Sequence, residues 1–240
     1  MHRHRSTSLG VAIALLLPLA GCGTGEYMNR MAQRAQELER AGEFETNLGV
    51  SQTVTPDVSL RIPAIFNSES RSWAPNSQDE NGQTINFIRL QPVVCTLPGL
   101  TVTFERFLPD GDRQLPHYCY FASQVIGENQ KAEEFKAAIE AEITRSGAAG
   151  AKFSPVTVTG PSGESQTWEM LSVTSQQRFA GMPPSGQEAT LEGRFDLYFK
   201  ATSTHFVLVG WRAPNGANAN TFFQNARLAM GSATGGNAAQ

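Results

Sequence analysis

The sequence has few of the residues on which many enzymes and metal sites depend. Its 240 residues include 3 cysteines and 4 histidines. It contains no HExxH zinc motif, no Walker phosphate loop and no GxGxxG dinucleotide motif. The stretch Gly160-Pro161-Ser162-Gly163-Glu164 ends in glutamate where the nucleophile elbow of a hydrolase has glycine. The sequence therefore argues against the common zinc-protease, P-loop, dinucleotide-binding and α/β-hydrolase classes.

Histidine is scarce outside the N-terminal region, where only His117 and His205 remain. Both fall in segments predicted as strands, whereas catalytic side chains concentrate on loops. Structural roles are therefore favoured for both, and no catalytic residue is predicted. The alternative is a hydrolase with a non-standard active site, in which one of these histidines would lie beside an acid and a nucleophile.

A basic patch is also absent. The formal net charge is −3, and the main basic cluster after the N-terminal region is the sparse set Arg30, Arg34 and Arg40. These arginines alternate with Glu37 and Glu39, as is typical of a solvated helix face. Proteins that bind nucleic acid usually carry a basic stripe, so nucleic acid is not an expected partner.

The chain has no hydrophobic run long enough to predict a membrane-spanning helix, which needs about 20 apolar residues. Its apolar N-terminal run, Leu9 to Ala20, is interrupted by glycine and Pro18. The run follows Arg3 and Arg5 and ends in small residues. This layout is typical of an export signal.

The end of that signal, Leu19-Ala20-Gly21-Cys22, resembles the lipobox of bacterial lipoproteins. The resemblance implies cleavage after residue 21 and a diacylglyceryl group on Cys22, usually with an N-linked acyl chain such as palmitate. Cys22 would then hold the chain to membrane lipid, with no other cofactor expected. Losing Arg3 and Arg5 changes the formal charge from −3 to −5. Gly23 in place of aspartate resembles lipoproteins sent to the outer membrane, so we expect a periplasm-facing envelope location, with the outer membrane favoured over the inner.

Composition predicts four segments. Residues 1–21 form the signal peptide, and residues 22–56 contain the lipidated N-terminus, a short exposed helix and a polar tether. The helix is predicted over 26–44 from the spacing of Tyr27, Met31, Ala35 and Leu38, and the tether over 45–56. Residues 57–230 form one folded domain, and residues 231–240 form a disordered tail because they have no large apolar side chain to bury.

Hydrophobic periodicity within 57–230 predicts an α+β fold. Short links favour antiparallel pairing, with two helices flanking the sheet. The predicted order is ββββαββββα. Its strands are 58–62, 84–90, 101–107, 117–125, 153–160, 166–174, 192–201 and 204–212, and its helices are 131–147 and 218–230.

This element order, together with the phrases VSLRIPAIF, TWEML and HFVLVGWRAP, resembles the PsbP-like α/β/α sandwich, which includes small bacterial lipoproteins. The resemblance covers roughly residues 57–230. It implies a binding or assembly accessory with an envelope protein as a partner. The sequence as a whole therefore predicts a membrane-anchored envelope lipoprotein without catalytic activity.

Cys95 and Cys119 are the remaining cysteines, and a disulfide between them is predicted because exported compartments oxidise thiols. The first alternative is a soft-metal site formed by Cys95, Cys119 and His117, since thiolate and imidazole suit copper or zinc. Such a site lacks a fourth ligand nearby, so no metal ligand is predicted. The second alternative is two buried, unpaired thiols.

Two polar segments, 67–83 and 176–187, are long for loops of a compact domain and are predicted partner-contact surfaces. They carry Trp73, Phe179 and Met182, whose side chains would bind a partner if exposed. The alternative is that these segments fold back over the edge of the core.

Overall fold

The computed structural model describes residues 17–68, 70–74, 77–78, 81–84, 91–182 and 187–235, without the side chains of 17–24 and 180–188. Within these residues the fold is α+β, with two antiparallel sheets and three helices, so the predicted class is confirmed. The elements in chain order are α1 (Leu17–Asn47), β1 (Leu48–Thr55), β2 (Val58–Pro63), β3 (Arg71–Trp73), β4 (Leu100–Asp110), β5 (Arg113–Val125), α2 (Ala132–Arg145), β6 (Ser154–Thr159), β7 (Ser165–Met182), β8 (Gln187–Ala201), β9 (His205–Pro214), α3 (Ala219–Gly231) and β10 (Thr234–Gly235).

The larger sheet has seven described strands in the order β3-β4-β5-β9-β8-β7-β6. One group of strands contains the β4–β5 hairpin, and the other consists of β6 to β9, joined by successive hairpins. The two groups meet where β5 pairs with β9. Strand β9 is therefore the middle strand, which explains the almost uniformly apolar HFVLVGW. The smaller sheet has the order β1-β2-β10.

Both faces of the larger sheet are covered, as the side chains of β9 show, because successive residues pack in different core clusters. Phe206 and Leu208 belong to the cluster that contains α2 residues, whereas Val207, Val209 and Trp211 belong to the cluster that contains α3 residues. Successive side chains of a strand point to opposite sides of the sheet, so β9 contributes buried side chains to both clusters. Strands β1 and β2 pack on the α3 side.

Helix α2 covers its face through Phe135, Ile139 and Ile143, which repeat every four residues. The ring of Phe135 lies 4.7 Å from that of Phe206, centroid to centroid. The helix ends before Gly147, whose φ of +98° favours glycine.

Helix α3 lies close to β6, and Gly231 permits this approach. A Cβ at position 231 would lie 2.4 Å from the carbonyl oxygen of Thr159. The buried face of α3 carries Phe222, Phe223, Ala226 and Met230.

The predicted tether over 45–56 is wrong. Residues 45–47 end α1, and the rest is mainly β1, which pairs antiparallel with β2. Leu48 and Val54 are buried in the core cluster, while the polar residues between them are more exposed. The Ser- and Thr-rich composition therefore reflects the solvated side of a strand.

The predicted tail over 231–240 is also partly ordered, since Gly231 ends α3 and Thr234–Gly235 pairs with β2. Residues 236–240 lie outside the described part. The observed order differs from ββββαββββα by α1, β1, β3 and β10. Of the predicted strand 84–90, only Thr84 is described, and it forms an isolated bridge with Gln78.

Candidate functional site

Helix α1 joins Cys22 to the folded domain. Cys22 falls within α1, and its side chain lies outside the described part. At the other end, Phe44 is 2% exposed and packs into the core cluster of β1, β2 and α3. Residues 25–36 are all exposed. Exposed ion pairs such as Arg34–Glu37, at 3.0 Å, add only a few tenths of a kcal/mol each.

An apolar stripe runs along the exposed length of α1. Its large members are each between 53% and 65% exposed. With 100° between successive residues, the stripe occupies an arc of about 100°. We call this surface the α1 stripe and define it as Tyr27, Met28, Met31, Ala35 and Leu38.

The α1 stripe points away from the domain. The less exposed side of the helix carries Glu37, Arg40, Ala41, Phe44 and Asn47, which also recur every three or four residues. This side faces α3 and β6, and the stripe lies on the opposite side. A contiguous exposed apolar surface usually marks an interaction site.

A groove of about 480 Å³ lies where α1 meets the domain, lined by residues of α1, β6 and α3. Arg40 and Arg227 are the arginines of its lining. Arg227 donates to the carbonyl of Thr157 at 3.2 Å. The pKa of Glu164 is lowered, mainly by its hydrogen bond with Ser162, and Arg40 contributes. The groove size suits a small molecule, but the residues of its lining select no ligand class.

The predicted partner contacts have different positions in the structure. Trp73 is half-buried in β3, at the edge of the larger sheet. Phe179 is fully buried, so its prediction as an exposed contact is wrong. Met182 ends β7, and its side chain lies outside the described part. The prediction of a loop over 176–187 is wrong for residues 176–182 and 187, which belong to the β7–β8 hairpin, and residues 183–186 lie outside the described part.

A buried cation explains why Phe179 is inside. The guanidinium of Arg212 lies 4.3 Å from the Phe179 ring centroid and 5.3 Å from that of Tyr118. Arg212 Nε donates to Gln177 Oε1 at 2.8 Å, and Nη2 donates to the carbonyl of Arg178 at 2.7 Å. Gly193 leaves room for this arrangement, because a Cβ there would lie 2.7 Å from Phe179 Cζ.

The surroundings of Arg212 change the ionisation of nearby groups. Burial raises the pKa of Glu105, although hydrogen bonding to Tyr118 and the charge of Arg71 act in the opposite direction. Burial also raises the pKa of Tyr118 and Tyr120. The two tyrosines therefore remain neutral hydrogen-bonding groups, and the network mainly fixes β7 against β5 and β9.

The predicted disulfide does not form in the structure, where Cys95 and Cys119 are both free and buried. They lie on opposite faces of the larger sheet. Cys95 packs in the α2-side cluster, whereas Cys119 packs in the α3-side cluster with Trp211. Sequence reasoning could not detect this, because the face on which the 91–99 segment packs depends on the fold. The same separation keeps Cys95 away from the Cys119–His117 side, so the three-residue metal site is not assembled.

We expect the Cys22→Ser chain to show two thiols per molecule after unfolding without reductant. In the native state we expect almost no reaction, because burial raises the pKa of both thiols and blocks reagents. Titration with Ellman's reagent in buffer and in denaturant measures both counts. No titratable thiol in denaturant would establish the disulfide and contradict the structure.

The two histidines have structural environments. His117 is 2% exposed, and its Nδ1–H donates to the carbonyl of Leu115 at 3.0 Å. His205 Nδ1 lies 2.7 Å from Thr204 Oγ1, and that hydroxyl donates to Asp57 Oδ2 at 2.6 Å. Because the Thr204 proton goes to Asp57, His205 donates to the hydroxyl and does not activate it as a base. The order of the hydrogen bonds, His205 to Thr204 to Asp57, differs from a nucleophile–histidine–acid relay. The bonds instead connect the β1–β2 turn to the β8–β9 hairpin.

No protein-family model matches the chain, and no curated protein matches it. Among solved structures, the chain is similar to a protein from Bacteroides thetaiotaomicron, with 13% identity and a TM-score of 0.33 over 76% of this chain. The match covers 47% of that protein, so the chain spans about half the length of the structure it matches. A likeness this distant carries no argument about function.

In the part of the chain that the structure describes, no helix has both the length and the apolar character needed to cross a membrane. The same residues contain no group of three or more histidine, cysteine or acidic side chains arranged for a metal ion. Sequence reasoning missed the Arg212 network, although an arginine inside the apolar HFVLVGWRAP was a usable signal. A charge in such a strand has to be paired or hydrogen-bonded.

Proposed function

We propose that the chain is an exported lipoprotein, anchored through acylated Cys22 and facing the periplasm, that acts as a binding or assembly accessory without catalysis. The observation that carries this proposal is the α1 stripe, an exposed apolar surface that begins five residues after the lipobox cysteine. Such a surface favours a protein-interaction role. The Gly23 position favours the outer membrane as the site of attachment.

Helix α1 fits the role of a rigid spacer. From Cys22 to Asn47 it spans about 38 Å at 1.5 Å per residue, a length that would hold a domain anchored through Cys22 above the bilayer surface. The C-terminal end of α1 is fixed to the domain because Phe44 packs in the core. The helix therefore continues from the domain without an intervening tether. A partner on the same membrane would meet the stripe before it met the domain.

The domain itself is proposed to be a PsbP-like α/β/α sandwich. In support, α2 and α3 cover opposite faces of the larger sheet. Domains of this shape act mostly as binding or assembly accessories, which agrees with the proposed role. A fold alone does not assign a function, so the proposed role depends on the α1 stripe.

The two alternative functions receive less support from the geometry. A hydrolase would need His117 or His205 to serve as a base, but His117 is buried and bonded to Leu115, and His205 donates to Thr204. A soft-metal protein would need Cys95 beside Cys119 and His117, and Cys95 lies on the other face of the sheet.

Replacing Cys22 with serine is expected to move the protein from the membrane fraction to the aqueous fraction. The thiol is the only group there that can form the thioether, and stable anchoring needs two or more acyl chains. Triton X-114 partitioning and the size of the processed chain measure this, with globomycin treatment of the wild type as a second route. Unchanged processing and partitioning in both cases would overturn the proposed location.

The interaction role is tested with a photo-crosslinking residue at Leu38 in the membrane-bound chain. A matched control places the same residue at Gln36, which is exposed on the same helix but off the stripe. We expect adducts from the Leu38 position and few from Gln36. Equal, low yields at both positions would contradict the proposed binding surface.

A further inference from the structure

We propose that the α1 stripe binds the same stripe of a second copy of this chain, forming a short parallel coiled coil beside the membrane. The seam consists of Met28, Met31, Ala35, Leu38 and Gly42, which follow one another at intervals of 3, 4, 3 and 4 residues. This is the spacing of a and d positions in a two-stranded coiled coil. The large members of the seam are exposed in the monomer and need no rearrangement to pair.

The charges beside the seam favour a second copy in parallel orientation. With Met28 at a, Arg34 occupies a g position and Glu39 the following e position. In a parallel pair, g of one helix faces e of the other, five residues later, so Arg34 meets Glu39 twice by symmetry. An antiparallel pair would place Arg34 near the other copy's Arg34. In the monomer both side chains are exposed, and among the described residues Arg34 pairs only with Glu37 on its own helix.

The orientation rests on the proposed acylation of Cys22, because two chains held by their N-termini leave one membrane in the same direction. The seam is about 21 Å long at 1.5 Å per residue. Two heptads bury less than the roughly 800 Å² per partner of a standard interface. Confinement to one membrane raises the effective concentration and compensates for the small area. We therefore expect pairing on the membrane and a monomer in solution.

The bilayer surface is a less suitable occupant of the stripe. Helices that lie in the interface carry Lys and Arg on their polar face and are attracted to anionic lipid. Residues 25–47 carry three arginines and five glutamates, so this helix has a net negative charge. Phe44 fixes the C-terminal end of α1 to the domain. This attachment further favours a helix that projects from the membrane over one that lies along its surface.

Disulfide trapping tests the seam in the full lipidated chain. Ala35→Cys places a thiol at an a position, where parallel partners bring equivalent residues together. Gln36→Cys places it one residue away and off the seam. On oxidation of isolated membranes we expect a band of twice the mass for Ala35→Cys and about tenfold less for Gln36→Cys. The native Cys95 and Cys119 are buried and do not contribute.

Charge exchange tests the orientation. In the Ala35→Cys background, Arg34→Glu is expected to lower the trapped fraction roughly fivefold, because like charges replace opposite charges at both symmetry-related positions. Adding Glu39→Arg exchanges the two charges and is expected to restore it. Failure of the second change to restore trapping would overturn the parallel arrangement.

The remaining outcomes separate this inference from the proposed function. Equal trapping at positions 35 and 36, with the protein still in the detergent phase, would overturn the proposed coiled-coil seam and leave the lipoprotein proposal intact. If the thiol of Ala35→Cys is protected from a water-soluble maleimide but no dimer is trapped, the stripe contacts the bilayer or another protein, and self-association is overturned.

Recovery of the chain in the aqueous phase would instead refute acylation. Equal trapping of the Cys22→Ser chain and the lipidated chain would contradict the proposal that pairing requires attachment to the membrane.

Discussion

Replacing Phe222 with alanine is expected to lower the free energy of unfolding by about 4 kcal/mol, as for other buried Phe→Ala changes. Phe222 is 2% exposed and joins α3 to the larger sheet. Its ring centroid lies 5.0 Å from that of His117 and 6.2 Å from those of Phe66 and Trp211. Alanine would leave a cavity between the helix, the sheet and the loop after β2, and close-packed neighbours refill such cavities only in part.

Urea or guanidinium unfolding followed by circular dichroism measures this loss. Gln224→Ala is the matched control, because Gln224 is exposed on the same helix and should change stability by less than about 0.5 kcal/mol. A loss below about 1.5 kcal/mol for Phe222→Ala would mean that α3 is not docked through this ring.

Acidification from about pH 6.5 to pH 4 is expected to remove about 3 kcal/mol of stability through His117 alone. Burial lowers the pKa of His117 from 6.5 to about 4, although its bond to Leu115 and the charge of Asp110 act in the opposite direction. In this window the unfolded chain binds a proton that the folded chain does not. Falling pH therefore favours unfolding, and the loss is nearly complete at the folded pKa.

The His117→Phe variant isolates this effect. It should be less stable than wild type at pH 7, because the Leu115 carbonyl loses its donor, but it should lose about 3 kcal/mol less between pH 7 and pH 4. Val209→Ala is the control, since Val209 is fully buried in the same cluster and does not titrate. Parallel stability curves for wild type and His117→Phe across this range would show that His117 takes up its proton as readily in the folded protein as in the unfolded chain.

Strand positions and the two later helices were predictable because their side chains are tied to local periodicity. In β9, successive residues alternate between two buried faces, and in α2 Phe135, Ile139 and Ile143 repeat at helical spacing. Segment 45–56 was not predictable, since a strand with one solvated face has the polar composition of a tether. Likewise, residues 176–182 were predicted as part of a loop, because nothing local showed that Gln177 was a partner of Arg212.

The candidate site divides in the same way. The spacing of Tyr27, Met31, Ala35 and Leu38 already predicted an exposed helix beside Cys22, the cysteine of the predicted lipobox. It could not show which side of that helix packs on the domain, because this depends on where Phe44 enters the core. The outward direction of the stripe, on which the proposed interaction rests, is therefore a property of the fold.

By itself, the sequence determined the α+β class, the helical spacing of the stripe and the resemblance to a lipoprotein signal, since each depends on residues close together in the chain. Only the tertiary structure decided that Cys95 and Cys119 lie on opposite faces of the sheet, that Phe179 covers a buried arginine, and that the stripe faces away from the domain. Each of these depends on contacts between residues far apart in sequence, and packing of the whole chain fixes such contacts.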